Sequence, residues 1–161
     1  MLPMEEEVHF ESILERLPKK GGEFYMMVPD DVAAQFTEGR KPARVRCVIN
    51  GTVHFQCAIR PRGGGGFYMN VATQLRQQGK LVLGQKLQAA VRKDDSEYGR
   101  DMPEELQELL AQDEEAKRLF ENAKPVNQRA IIHYIASAKS VQVRIDRSIM
   151  MTDRLKAGRI T

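Results

Sequence analysis

A run of glycines behind two arginines is the first feature of the sequence that suggests chemistry. Arg60 and Arg62 flank Pro61, and residues 63–66 are all glycine. Glycine allows backbone N–H groups to approach a ligand closely, and guanidinium groups bind oxyanions through paired hydrogen bonds. The run lacks the Gly-Lys-Ser/Thr ending of a P-loop, so a flexible connection between strands is the alternative interpretation. The predicted anion or ligand contacts are Arg60, Arg62, Gly63, Gly64 and Arg76.

A second group of basic residues lies near the C-terminus. Lys139, Arg144 and Arg147 fall on or between the last two predicted helices, where they would form a cationic patch. The spacing of Arg144 and Arg147 equally suits a solvated helix face. Both interpretations remain open at this stage.

Histidine and cysteine positions give no sign of catalysis. His9, His54 and His133 are scattered and match no known metal pattern. His54 and Cys57 should point to opposite faces of one strand. The Cα atoms of Cys47 and Cys57 should lie about 8 Å apart or more, which is too far for a disulfide. We interpret both as small core residues of a protein in a reducing cytosol. We predict no catalytic residue, metal or cofactor.

Charge is strongly segregated, although the net charge is only +3. No acidic residue lies between Glu38 and Asp94, a stretch that holds eleven Lys or Arg. Residues 101–121 are acidic and residues 124–159 are basic. The basic stretch would attract an anion, nucleic acid or an acidic partner. Alternatively, the acidic helices neutralise the basic tail or the basic strands.

The first part of the chain has the alternating pattern of strands. Residues 8–28 read as a hairpin around a polar turn, and a short helix follows, capped by Asp30 or Asp31 and ending near Gly39. Further strands are predicted over 67–71 and 87–91, with a short helix between them that ends at Gly79. About six short strands indicate a small barrel or sandwich.

Two strands flank the dipeptide Asn50-Gly51. Their apolar side chains fall at odd numbers on both sides, from Val45 to Ile59. A two-residue turn would place the two apolar sets on opposite faces. We therefore predict an odd-length connection, a type I turn with a bulge and Gly51 in the left-handed region.

Helical spacing replaces the strand pattern after Asp94. The first helix follows a capping-box spacing from Asp101 to Glu104, and Asp113 is expected to cap the second. Pro125 fits the first turn of the third helix. The fourth should run from about Val141 to Ala157, before Gly158. We place the boundary between a β-barrel domain and a helical domain at residues 98 and 99.

The composition is that of an ordinary globular protein, with 42% apolar and 29% charged residues. No stretch approaches the roughly 20 apolar residues that span a bilayer, and the N-terminus carries the acidic run 5–7 where a signal peptide needs basic residues. We expect a cytoplasmic protein that does not insert into membranes, as a monomer or homodimer.

The assembled motifs resemble two bacterial families. The runs 24–36 and 45–55, the Arg60-Pro61 and polyglycine loop, and Leu75-Arg76 before Gly79 resemble the domain of unknown function 1905. The second half resembles the YdeI or OmpD-associated (OmdA, bacteriocin-protection) domain. The matching positions there are residues 103–106, residues 116–120, Ile135, Ala138, Lys139, Arg144, Arg147, Leu155 and Gly158.

The resemblance implies an α+β fold, namely a small double-split β-barrel of the AbrB/MazE type followed by a helical tail. It implies no established enzyme activity. The chain departs from the tail family at Tyr134, where a Trp is usual, at Gln142 and Val143 within the Glu-Thr-Arg motif, and at Asp146, where a basic residue is usual. In the barrel, Asn50 and Gln85 stand where that family usually carries Asp.

Three functions are compatible with these features. The leading hypothesis is a non-enzymatic binding or stress-associated protein, of the kind that protects against bacteriocins or cationic peptides. The first alternative is a nucleic-acid-binding protein that uses the basic barrel surface. The second alternative is a protein or enzyme that binds a small anionic ligand through the glycine loop.

Overall fold

The computed structural model describes residues 6–161, so the first residue of the acidic run 5–7 lies outside it. The chain divides into two compact units, one ending at Asp95 and the other beginning at Ser96. The first unit is rich in strands and the second is helical, which confirms the α+β class. No helix within residues 6–161 is both long and apolar enough to cross a bilayer.

Seven strands and two short helices form the described part of the first unit, residues 6–95. The strands are β1 (Val8–Ile13), β2 (Glu15–Arg16), β3 (Phe24–Val28), β4 (Ala43–Ile49), β5 (Val53–Pro61), β6 (Phe67–Asn70) and β7 (Lys86–Lys93). The helices are α1 (Asp30–Ala33) and α2 (Thr73–Gly79). The strands pair antiparallel in the order β1-β7-β4-β5-β6-β3-β2.

One bent segment of chain joins the two ends of this sheet. Strands β1 and β2 lie at opposite ends of the strand order, yet only the fully buried Leu14 separates them in sequence. The Leu14 N–H donates to the Gln85 carbonyl, and the Leu14 carbonyl accepts from Gly84 N–H. Ser12 on β1 also donates to the Met27 carbonyl on β3 at 2.7 Å. The sheet therefore curls into a nearly closed barrel, as predicted.

The parity argument for β4 and β5 is confirmed. Ile49 pairs with Val53, so three residues connect the strands, and the odd-numbered Val45, Cys47 and Ile59 are buried in the barrel core. Gly51 has a φ of +73° as expected. Asn50 is also left-handed, at +53°, which is typical of a type I′ turn and not of the predicted type I turn.

The predicted hairpin over residues 8–28 is largely wrong. Strand β1 pairs with the distant β7, and only the two-residue β2 pairs with β3. Alternation along a strand shows which face is buried but does not identify the partner strand.

Both ends of α1 differ from their predictions. Pro29 occupies the N-cap in place of Asp30 or Asp31, and the helix ends already at Ala33, before the expected Gly39. Helix α2 ends at Gly79 as predicted, and Lys80 is its left-handed C-cap.

Four helices form the second unit: α3 (Glu104–Gln112), α4 (Glu114–Glu121), α5 (Pro125–Ala136) and α6 (Val141–Lys156). Asp113 caps α4 by accepting from Ala116 N–H at 3.1 Å, and Pro125 begins α5, both as predicted. The N-cap of α3 is Pro103 and not Asp101, and Pro103 makes no capping side-chain hydrogen bond.

Each unit has its own apolar core. The helical core includes Leu106, Phe120, Ile132 and Ile135, all at most 1% exposed, with the Tyr98 ring edge-on to Phe120 at 5.1 Å. The barrel core is a separate cluster of buried residues within strands β1 to β7 and the segments that join them. Burial of apolar side chains in each cluster stabilises the unit that contains it.

Candidate functional sites

The glycine loop is a closed turn between β5 and β6. Arg62 N–H donates to the Gly66 carbonyl and Gly65 N–H donates to the Arg62 carbonyl, which uses two of the loop's donors. The Arg40 guanidinium donates to the carbonyls of Arg62 at 2.8 Å and Gly66 at 3.3 Å. An anion cradle needs N–H groups that converge on the ligand, whereas here carbonyl groups converge on a cation.

The predicted loop residues do not converge on one point. Arg60 is exposed, and Gly63 and Gly64 lie at the exposed tip. The Arg62 guanidinium carbon lies 5.7 Å from the centre of the Tyr25 ring. Arg76 instead contacts Phe24. Phe24 and Tyr25 are neighbours on β3, so their side chains point to opposite faces of the strand. Arg76 therefore lies apart from the glycine loop.

Arg76 belongs to a different cleft of about 530 Å³. Its guanidinium carbon lies 3.7 Å from the centre of the Phe24 ring, and that of Arg16 lies 5.3 Å from the same ring. We call this site the arginine cleft; its lining residues are Arg16, Gly21, Gly22, Glu23, Phe24, Asn70, Val71, Ala72, Thr73 and Arg76.

Local pairing explains how the arginine cleft forms. Arg16 is opposite Phe24 in the β2–β3 ladder, so both side chains lie on one face. The turn that follows β2 needs glycine at residue 22, because a Cβ there would lie 2.2 Å from the Leu17 carbonyl oxygen. Helix α2 then carries Arg76 across the ring. Arg16 was missed in the sequence because its partner is a ring, not a neighbouring charge.

Many of the other barrel cations already have partners. Arg46 donates to Asp95 at 2.7 Å, and Arg92 lies 3.8 Å from the same carboxylate. Arg46 thereby holds the pKa of Asp95 below its usual range, mainly through the hydrogen bond. The basic stretch is therefore partly neutralised at the end of β7, and nucleic-acid binding by this surface stays a prediction.

Two residues of the predicted cationic patch of the tail form hydrogen bonds within the helical unit. Arg144 donates to Glu105 on α3 at 2.5 Å and to the Ala138 carbonyl at 2.9 Å. Arg147 donates to the Tyr134 carbonyl at 2.7 Å and covers the Tyr134 ring. Lys139 is exposed. Two of the three residues therefore fasten α6 to the end of α5.

The acidic helices α3 and α4 do lie against the basic α6, as the neutralisation interpretation expected. Lys156 donates to Asp113 at 2.5 Å, and this hydrogen bond is the main cause that lowers the pKa of Asp113. The hydrogen bond from Arg144 likewise lowers the pKa of Glu105. These pairs hold α6 against both acidic helices.

An apolar groove of about 410 Å³ runs between α3 and α6. Its floor on α6 is a stripe at i, i+4 and i+8 spacing, in which Val141 is 57%, Ile145 37% and Ile149 46% exposed. We call this site the α3–α6 groove; its lining residues are Glu104, Glu105, Glu108, Leu109, Gln112, Val141, Ile145, Ser148 and Ile149.

Carboxylates line one side of the α3–α6 groove. Arg144 neutralises Glu105, whereas Glu104 and Glu108 form no ion pair with any residue in the range 6–161. The groove was not predicted from the sequence. The spacing of Val141, Ile145 and Ile149 is typical of one apolar helix face. This spacing does not show that the face lies outside the core.

Neither Cys47 nor Cys57 forms a disulfide. Burial raises the pKa of the Cys47 thiol well above its usual value, so that this thiol stays protonated at neutral pH. Within residues 6–161, no group of three or more His, Cys, Asp or Glu side chains is placed to hold a metal ion.

Comparison with known families identifies both units. Residues 10–91, just over half of the 161-residue chain, match the family described as a domain of unknown function, DUF1905. Residues 100–158 match the family described as bacteriocin-protection, YdeI or OmpD-associated, OmdA. No curated protein sequence matches the chain. The chain therefore belongs to the DUF1905 family, and its helical unit carries a match to the OmdA family.

Proposed function

We propose that this protein is a non-enzymatic, cytoplasmic binding protein of bacteria whose helical unit captures cationic amphipathic peptides in the α3–α6 groove. The observation that carries the proposal is the exposed stripe of Val141, Ile145 and Ile149 beside Glu104 and Glu108. The OmdA description, bacteriocin-protection, agrees with a peptide ligand of this kind. Two cysteines that form no disulfide, one of them buried, agree with a reducing compartment.

The dimensions of the stripe favour a helical ligand. From Val141 to Ile149 the stripe extends about 12 Å along α6, which is roughly two helical turns. An amphipathic helix presents apolar residues at the same spacing and would lay them into the groove. Lysine or arginine at the edge of that helix would then face Glu104 and Glu108.

Rim carboxylates that form no ion pair with residues 6–161 provide specificity for a cation. Glu104 and Glu108 are both exposed, so neither loses its hydration before a ligand arrives. Ion pairs formed at such an edge contribute little affinity alone, but they select the sign of the partner and speed its arrival. A peptide of the same apolar face with acidic edges would be repelled.

Calorimetric titration of the full chain with two designed peptides tests this proposal. Each peptide is a helix of about 18 residues with leucine on one face, and the other face is lysine in one peptide and glutamate in the other. We expect the lysine peptide to bind and the glutamate peptide to give no signal. Affinity for the lysine peptide should fall as salt is raised, since salt screens exposed charges.

A matched pair of variants locates the binding. Ile145→Lys places a cation on the groove floor and should weaken the lysine peptide at least about tenfold. Val143→Lys makes the same change at a similarly exposed position of α6, where Val143 is 40% exposed but outside the groove, and should bind normally. Equal loss in both variants, or binding of both peptides alike, would refute the proposal.

Cells provide a second test. A strain that lacks the gene should become more sensitive to a cationic bacteriocin. The Val143→Lys gene should restore resistance, whereas the Ile145→Lys gene should not. Unchanged sensitivity of the deletion strain would remove the protective role, while the calorimetric result would still decide whether the groove binds peptides.

A further inference from the structure

We propose that the arginine cleft of the barrel unit binds a small phosphate monoester that also carries a hydroxyl or amino group. This site is independent of the peptide groove, because all of its lining residues belong to the first unit. It is also distinct from the glycine loop, which contributes no residue to the cleft.

Both cations of the cleft are held in place before any ligand arrives. Arg76 donates to the Val71 carbonyl at 2.6 Å and to Thr73 Oγ1 at 3.1 Å, and Arg16 donates through Nε to the Gly22 carbonyl at 3.2 Å. A guanidinium has five N–H groups, so each arginine keeps further donors for a ligand. The shared contact with Phe24 fixes their orientation, which reduces the entropy cost of binding.

Positive charge in the cleft has no carboxylate partner within residues 6–161. Neither Arg16 nor Arg76 forms an ion pair there, and Glu23, which also lines the cleft, is exposed and unpaired. Burial, followed by repulsion from Arg16, lowers the pKa of Arg76. An anion between the two guanidiniums would relieve that repulsion.

An unsatisfied acceptor indicates the rest of the ligand. Asn70 lines the cleft, and its Oδ1 atom is buried without a hydrogen-bond partner. Buried polar atoms in proteins are nearly always paired, so an exception beside a cleft indicates a missing donor. A turn of the Asn70 side chain would bring this oxygen to a hydroxyl or amino group on the ligand, which would supply that donor.

Size and geometry favour a phosphate ester over other anions. Guanidinium groups bind phosphate oxygens through two parallel hydrogen bonds, and the three terminal oxygens of a monoester can engage two arginines at once. A volume of about 530 Å³ falls in the range of small-molecule sites. An organic group attached to the phosphate would therefore fit inside the cleft with it.

Calorimetry on the full chain with four probes tests the proposal. The probes are ribose 5-phosphate, ribose, methyl phosphate and a short DNA duplex. We expect ribose 5-phosphate to bind at least about tenfold more tightly than methyl phosphate, which lacks the hydroxyl donor, and ribose to show no binding.

Variants then assign the site. Arg16→Gln should weaken ribose 5-phosphate at least tenfold, and Arg16→Lys, which keeps the charge but not the paired hydrogen bonds, should weaken it less. Arg62→Gln is the matched control, because Arg62 also covers an aromatic ring of the barrel but lies outside the cleft. It should bind ribose 5-phosphate as the unchanged chain does. Circular dichroism should show every variant folded, since Arg16 and Arg62 are exposed.

Several results would overturn the proposal. One is that ribose 5-phosphate does not bind at millimolar concentration. Another is that ribose 5-phosphate and methyl phosphate bind with equal affinity. The third is that Arg16→Gln and Arg62→Gln weaken the binding of ribose 5-phosphate equally. A DNA duplex that binds more tightly than ribose 5-phosphate and loses that binding in Arg16→Gln would assign the cleft to nucleic acid instead.

Discussion

Arginines serve different purposes in the two units of this protein. In the helical unit Arg144 binds a carboxylate and a helix-end carbonyl, and Arg147 binds the same helix end. In the barrel unit Arg16 and Arg76 cover one phenylalanine ring and have no carboxylate partner among residues 6–161. The first pair connects helices, whereas the second leaves its charge available.

This difference shows that the presence of arginines alone does not predict a binding site. A cation whose donors all reach the chain's own carbonyls and carboxylates stabilises the fold and offers little to a ligand. A cation oriented by backbone carbonyls and an aromatic ring keeps its net charge unbalanced. The partners of each guanidinium therefore distinguish structural arginines from candidate binding residues.

The substitution with the largest expected effect, Phe120→Ala, tests whether the two units are stabilised separately. Phe120→Ala removes a fully buried ring from the helical core and should lower the free energy of unfolding of that unit by about 3–5 kcal/mol. Hydrogen exchange should speed up in α3 to α6 and stay unchanged in β4 and β5. The exposed Leu83→Ala change is the control. Faster exchange in both units would show that they unfold together.

The next effect tests the structural role of Arg144. Arg144→Gln leaves Glu105 without its cation and the Ala138 carbonyl without its charged donor. The melting temperature of the helical unit should fall by roughly 5 °C. Arg154→Gln, at an exposed position of the same helix, should leave it unchanged. A melting temperature that stays the same in Arg144→Gln would contradict the structural role.

Arg16 should behave in the opposite way. Because it contacts a ring and one carbonyl at an exposed position, Arg16→Gln should change the free energy of unfolding of the barrel by less than about 1 kcal/mol. Urea denaturation measures this change. A loss several times larger would mean that Arg16 is as structural as Arg144, and the comparison between the units would fail.

The smallest effect is a dependence on pH in the acid range. Hydrogen bonds from Arg144 and Lys156 lower the pKa values of Glu105 and Asp113 in the folded state. Their stabilisation is complete above the unfolded pKa values of about 4 and is lost as pH falls through the lower folded values. NMR titration should find both carboxylates below those values. In Arg144→Gln the pKa of Glu105 should return towards normal while that of Asp113 stays low.

Local patterns predicted the elements of this fold well. The odd-numbered apolar residues from Val45 to Ile59 gave the register of β4 and β5, and Asp113 and Pro125 were placed correctly at helix starts. The pairing of strands that lie far apart in the sequence was harder to predict. The partner of β1 is β7, which is more than 70 residues away, and nothing in the alternation of β1 identifies that strand.

The candidate sites were harder to predict than the fold. Arg76 was selected for its charge, but its position over the Phe24 ring depends on how α2 lies against β3, which the sequence pattern does not give. Arg16 lies within the predicted hairpin opposite Phe24, so correct pairing of residues 16 and 24 would have found it. The α3–α6 groove depends on which side of α6 the other helices cover, and periodicity alone does not give that side.

NMR mapping of peptide binding tests the central claim most directly. The full chain, labelled with ¹⁵N, is titrated with the leucine-lysine peptide while backbone amide shifts are followed. We predict that the largest shifts cluster along the α3–α6 groove, at Leu109, Val141, Ile145 and Ile149, and that Val126, an exposed apolar residue on α5, does not move. Shifts that cluster away from the groove, or no shifts at saturating peptide, would contradict the account.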